Sequence, residues 1–125
     1  MIAADTSSFI NFLRKAPGRD SAAVRDAIKA ETLWLPPPVK TELLSGWLHG
    51  TGAEALIANA PLLTISPGYW ERAGASRRLL VEKGLKARLA DTLIAQCCID
   101  ADVKLIARDG DFRHFARWCG LKLAA

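Results

Sequence analysis

Short apolar runs alternate along the chain with longer segments in which apolar residues recur at three- and four-residue spacing. The short runs predict β-strands, and the longer segments predict α-helices with one or more buried faces. The predicted strands are Met1–Ala4, Thr32–Leu35, Leu62–Ile65, Lys104–Ala107 and Leu121–Leu123. The first predicted helix begins at Thr6, and the last contains Phe112–Ala116. The helices predicted between them are Ser21–Ala30, Val39–His49, Ala53–Asn59, Tyr69–Lys83 and Asp91–Ala101. This alternation predicts an α/β fold with a central, mainly parallel sheet of four to five strands flanked by helices.

The composition is typical of one folded globular domain, which we expect to cover residues 1–125. No apolar run approaches the roughly 20 residues of a membrane span. The first apolar run, Met1–Ala4, is too short for a signal peptide, so we expect a cytoplasmic protein with no membrane partner. The net charge of +4 and the pI near 9.2 suit a polyanionic partner such as a nucleic acid.

The cysteines and histidines do not form a pattern that predicts a zinc site or a disulfide framework. Cys97 and Cys98 are adjacent in an apolar helical run, where reduced cysteine packs as a small hydrophobic residue. The histidines lie far from them in sequence, so the spacing matches no zinc motif. His114 is interpreted as a surface residue in preference to a proton-transfer group.

Acidic residues follow two of the predicted strands and also occupy two of the predicted helices. Asp5 closes the first strand, and Asp109 and Asp111 lie just beyond the strand Lys104–Ala107. Glu42 lies on the apolar flank of its helix, and Asp91 stands at the start of the most apolar helix. Ligands of open parallel sheets bind outside the carboxyl ends of the strands, which is where these acids are expected to meet.

Each acid also has a purely structural explanation. Asp91 and Asp111 are suitable helix caps, Asp109 with Gly110 is a common turn pair, and Glu42 is acceptable as a satisfied flank residue. Asp5 fits a structural role least well, because an acid that closes an apolar strand is partly buried. Several buried carboxylates together imply a cation.

A cluster of carboxylates without histidine or cysteine selects Mg²⁺ or Mn²⁺ over zinc. Such an ion supports phosphodiester hydrolysis by lowering the pKa of a water and by offsetting charge on the leaving oxygen. The residues alone therefore point to a metal-dependent hydrolase that acts on a nucleic acid.

The acidic positions and their neighbours resemble a known family in their order along the chain. They are Asp5 followed by Thr6-Ser7, Glu42 in a proline-led helix, the run Arg88-Leu89-Ala90-Asp91-Thr92-Leu93-Ile94-Ala95, and Arg108-Asp109-Gly110-Asp111-Phe112. This ordered set is similar to that of PIN-domain ribonucleases, specifically the VapC-type toxins of toxin–antitoxin systems. The resemblance implies a PIN-like, Rossmann-like three-layer sandwich and a Mg²⁺- or Mn²⁺-dependent endoribonuclease. It also implies a homodimer and a small VapB-like antitoxin whose tail covers the active site.

The same resemblance assigns roles to individual residues. Asp5, Glu42, Asp91 and Asp109 match the acidic quartet that holds the metal and carries catalysis, Asp111 is an auxiliary acid, and Thr6 is a hydroxyl near the metal. One departure is Ala107, because similar proteins often carry threonine or serine two residues before the fourth acid.

Basic residues flank the predicted acids, and four of them are candidate RNA contacts: Arg77, Arg88, Arg108 and Arg113. Solvated helix faces explain such residues equally well. Arg77 is distinctive because it falls within an apolar stripe formed by Trp70, Ala73, Leu80 and Val81, which predicts an ion pair, an interface or a substrate contact. Leu44 and Trp47 lie outside the main apolar stripe of their helix and predict a protein partner there.

Other functions remain as alternatives. A haloacid-dehalogenase-type phosphatase needs a second aspartate two residues after Asp5, where the chain has Ser7, and a receiver domain needs an acid pair that is not evident. The stronger alternatives share the fold. They are an RNA-processing or quality-control PIN nuclease without an antitoxin, and a non-catalytic domain that binds nucleic acid or protein.

Overall fold

The computed structural model describes residues 1–46, 52–108, 110 and 112–124. Four strands and seven helices are found in this part of the chain. The strands are β1 (Ile2–Ala4), β2 (Leu33–Trp34), β3 (Lys104–Ile106) and β4 (Lys122–Ala124). The helices are α1 (Thr6–Leu13), α2 (Arg19–Lys29), α3 (Pro37–Ser45), α4 (Ala53–Asn59), α5 (Tyr69–Glu82), α6 (Leu89–Ala101) and α7 (Phe112–Trp118).

The four strands form one parallel sheet in the order β2-β1-β3-β4. Ala3 on β1 lies between Trp34 on β2 and Leu105 on β3, and Leu105 pairs in turn with Leu123 on β4. Consecutive residues of the two inner strands are buried, including Ala3 with Ala4 and Leu105 with Ile106. Burial of both faces is typical of parallel sheets covered by helices, so the predicted α/β architecture is confirmed.

The predicted strand Leu62–Ile65 is wrong. Only Leu62 pairs, in one parallel bridge with Leu35, supported by backbone hydrogen bonds from Leu35 to Pro61 and from Leu63 to Leu35. The ladder does not extend because Pro36 and the two prolines after it have no N–H group to donate.

The core is formed by the sheet and the buried faces of the helices. In α6, every residue from Ile94 to Cys98 is buried, so this helix packs against neighbours on most of its surface. Cys97 and Cys98 are free thiols within it, which agrees with their predicted structural role. None of the helices in the described residues has the length and apolar character needed to cross a membrane.

The apolar stripe predicted on α5 is confirmed at Ala73 and Leu80 and is wrong at Trp70 and Val81. Trp70 and Val81 are 64% and 52% exposed, whereas Tyr69, Ala73 and Leu80 are buried. The buried positions recur at four- and seven-residue intervals, and α5 packs against α6 and α7. Arg77 lies at the border of this stripe, between buried Ala73 and Leu80 in the chain, and is itself exposed.

Candidate functional site

Asp5 occupies the point where β1 ends and α1 begins. Its carboxylate caps α1, because the Ser8 backbone N–H donates to Oδ1 at 2.9 Å and the Ser7 hydroxyl donates to Oδ2 at 3.0 Å. Its backbone N–H donates to the Ile106 carbonyl at 3.0 Å, which ties it to the end of β3. The residue is 3% exposed. The sequence predicted a partly buried acid here, and the structure adds that this acid is also the helix cap.

Glu42 lies on α3, the helix opened by the proline run. The Thr6 hydroxyl donates to Glu42 Oε1 at 2.6 Å and links α3 to the first residue of α1. Glu42 is exposed to solvent, and it lines a cavity that Asp5 also lines. The hydroxyl of Thr6 therefore orients this carboxylate across the gap between two helices.

Asp91 lies in the first turn of α6 and is half-buried. The N-cap of this helix is Arg88, so the alternative interpretation of Asp91 as the cap is wrong. A carboxylate in the first helical turn is favoured by the positive end of the helix dipole. The helix dipole therefore offsets part of the repulsion between the Asp91 carboxylate and the two other acids.

One cavity of about 230 Å³ brings these three acids together, and we call it the carboxylate pocket. It is lined by Asp5, Thr6, Ser7, Ile10, Glu42, Asp91, Ile94 and Phe112. The polar side chains on its walls offer only oxygen atoms as potential metal ligands, which suits a hard cation such as Mg²⁺. Within the described ranges, however, no three histidine, cysteine, aspartate or glutamate side chains form a group close enough to hold a metal. Asp109 and Asp111, the other predicted acids, lie outside the described residues.

Arg108, the residue before Asp109, is held by contacts inside the protein. Its Nη2 donates to Asp20 Oδ1 at 2.7 Å and to the Pro17 carbonyl at 2.8 Å. Gly18 lies between them with φ of +141°, and a Cβ there would collide with the Arg108 guanidinium. The corner between α1 and α2 is therefore packed directly against the segment that leads to Asp109.

Asp20 is a buried acid that the sequence analysis did not single out. Burial raises its pKa, but hydrogen bonds from Arg108 and Asn11 outweigh that effect and hold the pKa below its ordinary value. The Asn11 amide donates to Asp20 Oδ2 at 3.1 Å. Local sequence carries no signal for this role, because Asp20 resembles any acid in the first turn of a helix.

The other candidate RNA contacts are distributed around the start of α6 and on α7. Arg77 is exposed, and its Nε donates to the Ala87 carbonyl at 2.8 Å, just before α6. Arg88 and Arg113 are exposed, while His114 is half-buried. The structure does not test their contact with RNA, which stays a prediction. Ala107 is half-buried after β3 and offers no hydroxyl.

An apolar groove of about 450 Å³ adjoins the carboxylate pocket and shares Glu42 with it. It is lined by Pro37, Pro38, Thr41, Glu42, Ile65, Tyr69, Trp70, Leu89, Ala90 and Leu93. Trp70 and Leu89 are 64% and 62% exposed there. Leu44 is also exposed, as predicted, whereas Trp47 lies outside the described residues. A contiguous apolar groove of this kind is a feature of interaction sites and of ligand-binding surfaces.

Comparison with known proteins gives consistent matches over nearly the whole chain. The family model of the PIN domain matches residues 2–117. The chain is 30% identical over 132 aligned residues to a VapC ribonuclease of Mycobacterium bovis, with 100% of this chain and 98% of the relative covered. The same values hold for ribonuclease VapC11 of Mycobacterium tuberculosis.

Two solved structures share the fold. VapBC2 from Rickettsia felis, bound to a DNA fragment from its promoter, superimposes with a TM-score of 0.72 at 19% identity, covering 99% of this chain and 98% of that chain. FitAcB from Neisseria gonorrhoeae gives a TM-score of 0.71 at 18% identity, covering 100% and 97%. These likenesses concern the arrangement of strands and helices.

Proposed function

Because this chain belongs to the PIN-domain family and is of the VapC type, we propose that it is the ribonuclease toxin of a toxin–antitoxin pair. The observation that carries the proposal is the meeting of Asp5, Glu42 and Asp91 in one pocket, from three separate elements, at the carboxyl end of the central strand. The 30% identity to proteins named VapC ribonucleases supports the activity. The RNA substrate is supported further by the basic pI of about 9.2.

Four acids of this chain would hold Mg²⁺ or Mn²⁺: Asp5, Glu42 and Asp91 in the carboxylate pocket, together with Asp109, with Asp111 as an auxiliary acid. When bound, the ion supplies Lewis-acid chemistry for the hydrolysis of a phosphodiester. The oxygen-only donor set of the pocket fits a hard cation, although the described acids do not by themselves form a complete metal group.

The residues around the acids prepare the pocket for that chemistry. Ser7 and the Ser8 backbone N–H orient the Asp5 carboxylate, and the Thr6 hydroxyl orients Glu42. The apolar walls, Ile94 among them, lower the local dielectric and strengthen the interaction of each carboxylate with a positive charge. These contacts hold the acids in place before an ion arrives.

The test is RNA cleavage by purified, antitoxin-free protein with Mg²⁺ or Mn²⁺, with EDTA, and with an Asp5→Asn variant. Asparagine is as good a helix cap as aspartate, so this substitution keeps α1 intact while it removes the charge. We expect the rate to fall at least about 10- to 100-fold, the loss typical when even an outer contact of a metal site is removed. Asp102→Asn is the matched control, because Asp102 is exposed at the far end of α6.

Metal binding is measured separately by calorimetric titration of Mn²⁺ into wild-type and Asp5→Asn protein. Weaker binding by the variant supports the metal site independently of any activity. Equal trace cleavage by wild type and variant across tRNA, ribosomal RNA and mRNA, with RNA binding that EDTA does not affect, would instead favour a non-catalytic binding domain.

We propose two protein partners, a VapB-like antitoxin and a second copy of the chain. The apolar groove supports an antitoxin segment there, because the groove shares Glu42 with the carboxylate pocket and exposes Trp70. Trp70→Ala should weaken antitoxin binding about 30-fold, as loss of an aromatic interface residue commonly does. Trp118→Ala is the control, since Trp118 is a 40% exposed tryptophan on α7.

Growth arrest on expression of the chain, relieved by co-expression of a short open reading frame next to its gene, would support the toxin over an RNA-processing nuclease without an antitoxin. Light scattering of the purified chain measures the homodimer directly. A monomer at micromolar concentration would contradict the dimer without bearing on the nuclease.

A further inference from the structure

An exposed tryptophan lines the apolar groove beside the carboxylate pocket, and the metal chemistry makes no use of it. Trp70 is largely exposed although its neighbour Tyr69 is buried. The indole meets the Tyr69 ring edge-to-face, with the ring centroids 4.8 Å apart and the planes inclined at 79°. The buried tyrosine therefore supports an indole ring that is open to solvent.

Trp118 on α7 is a second exposed tryptophan, but its ring is already covered by cations. The Lys83 ammonium lies 3.9 Å from the ring centroid, and the Arg117 guanidinium lies 4.9 Å from it. Such cation–π contacts use the ring face that a stacked partner would need. Among the described residues, no cation lies over the Trp70 ring, so Trp70 is the better candidate for stacking.

The groove is continuous with the carboxylate pocket at Glu42, which lines both. Its volume of about 450 Å³ falls within the range of about 300–1,000 Å³ that is typical of small-molecule sites. One ribose joins the phosphate of a nucleotide to its base, so a phosphate held at the acids brings a base to the immediate neighbourhood of the pocket. The groove offers that base apolar walls and an aromatic ring.

Basic side chains at the start of α6 give the edge of the groove a positive charge. Arg88 is the exposed N-cap of this helix and directly precedes Leu89 and Ala90, which line the groove. The Arg77 side chain reaches the same region, because its Nε donates to the Ala87 carbonyl at 2.8 Å. Cations beside an aromatic ring are the combination with which proteins bind single strands of nucleic acid. The charge of this region therefore favours RNA as the occupant.

We propose that Trp70 stacks on an unpaired nucleobase of the RNA beside the scissile phosphate, an inference that rests on the proposed ribonuclease function. The stacked base fixes the position of the neighbouring phosphate against the acids of the carboxylate pocket. Trp70 thereby selects a cleavage position at which a base is free of pairing. The nucleobase and the antitoxin segment proposed for the same groove exclude one another.

The first test measures the affinity for a short single-stranded RNA of mixed sequence in EDTA, with strand integrity checked by gel. Trp70→Ala should weaken binding roughly 5- to 150-fold, the range for the loss of one stack between a base and an aromatic ring. Trp70→Phe should retain most of the affinity, because phenylalanine also presents an aromatic face. Trp118→Ala is the matched control and should bind as wild type does. Trp70 is exposed, so both of its variants keep the core intact.

An abasic strand of the same length separates stacking from phosphate contacts. This strand keeps the phosphates and lacks the bases, so wild-type and Trp70→Ala protein should bind it equally. If Trp70→Ala loses the same factor of affinity for both strands, the substitution acts on phosphate contacts or on the fold, and the proposal is overturned.

Photochemical cross-linking identifies the contact directly. RNA that carries 5-iodouridine is irradiated in complex with the wild-type chain, and the modified residue is located by mass spectrometry. We expect attachment at Trp70. Attachment confined to other residues, Trp118 among them, would contradict the stacking.

These measurements separate the base contact from the nuclease and from a protein partner. Binding that depends on Trp70 in a chain that cuts no RNA would support the base contact and contradict the nuclease. Cleavage combined with wild-type RNA affinity in Trp70→Ala would do the reverse. If that variant loses antitoxin binding or the dimer but keeps its RNA affinity, the groove is a surface for protein and the proposal is overturned.

Discussion

The Asp20–Arg108 ion pair should make a measurable contribution to stability that depends on pH. The perturbation is a double-mutant cycle with Asp20→Asn, Arg108→Gln and both together. The pair joins a carboxylate whose side chain is 4% exposed to a guanidinium that is 48% exposed, with Nη2 and Oδ1 2.7 Å apart. In its exposure to solvent, the ion pair is therefore intermediate between a surface pair and a fully buried pair.

The expected magnitude follows from that intermediate exposure. Exposed pairs contribute about 0–1 kcal/mol, whereas removal of one partner from a buried pair costs about 3–5 kcal/mol. We expect Arg108→Gln to lower the free energy of unfolding by roughly 2–3 kcal/mol, because the buried Asp20 charge then loses its cation. Asp20→Asn should cost less, about 1–2 kcal/mol, because a neutral amide retains the Asn11 contact. The coupling energy should be about 1–2 kcal/mol.

The pH dependence has a definite sign. The pKa of Asp20 is lower in the folded chain than its ordinary value, so the folded state favours the carboxylate. The stabilisation is therefore complete above the unfolded pKa of about 3.9 and is lost as the pH falls through the folded value. Urea unfolding of the four proteins from pH 7 downward measures this change. A coupling below about 0.5 kcal/mol at pH 7, or one that persists unchanged at pH 3, would refute the reasoning.

Three further predictions concern the interior. Phe115→Ala should lower the free energy of unfolding by about 3–5 kcal/mol in urea titrations, because Phe115 is completely buried; a loss below about 1 kcal/mol would contradict its packing. A thiol reagent should label Cys119 before Cys97 and Cys98, because burial raises the pKa of all three thiols but only Cys119 is half-buried and within reach of the reagent; equal rates in the folded protein would be the contrary result. Tyr69 is the single tyrosine, and burial raises its pKa, so absorbance at 295 nm should show no phenolate in the native protein near the ordinary pKa of about 10. The free energy of unfolding should fall as the pH rises beyond that value, because the unfolded chain then loses the phenol proton more readily than the folded one. An ordinary tyrosine transition in the native protein would disprove the burial of Tyr69.

The sequence pattern was sufficient to predict those features of the structure that depend on a single short segment of the chain. An apolar strand that ends in an acid placed Asp5 at the carboxyl edge of the sheet, and the alternation of strands with helices predicted the parallel fold. The proline run located the start of α3 and thereby the position of Glu42 in the second turn of the helix. These features depend on neighbours within a few residues, which is the range over which sequence patterns carry information.

The features that the sequence pattern did not predict depend on packing between residues that are distant in the chain. Leu62–Ile65 has the composition of a strand, but its partner runs into Pro36, which cannot donate to a ladder. Trp70 fits a stripe on α5 that the neighbouring helices do not cover. Asp20 is paired with Arg108, which lies near the other end of the chain, and no local pattern connects the two.

The sheet order has a consequence for the synthesis of this protein. Among the four strands of the sheet, β1 is synthesised first, yet it lies inside the sheet, where Ile2 pairs with both Leu33 and Lys104. At 5–20 residues per second, roughly 4–14 s separate the appearance of these two partners. One edge of β1 stays open during that interval, as is usual for sheets with distant parallel partners. Asp91 lies far beyond Asp5 along the chain, on α6, so the nascent chain has no assembled carboxylate pocket until α6 has been synthesised.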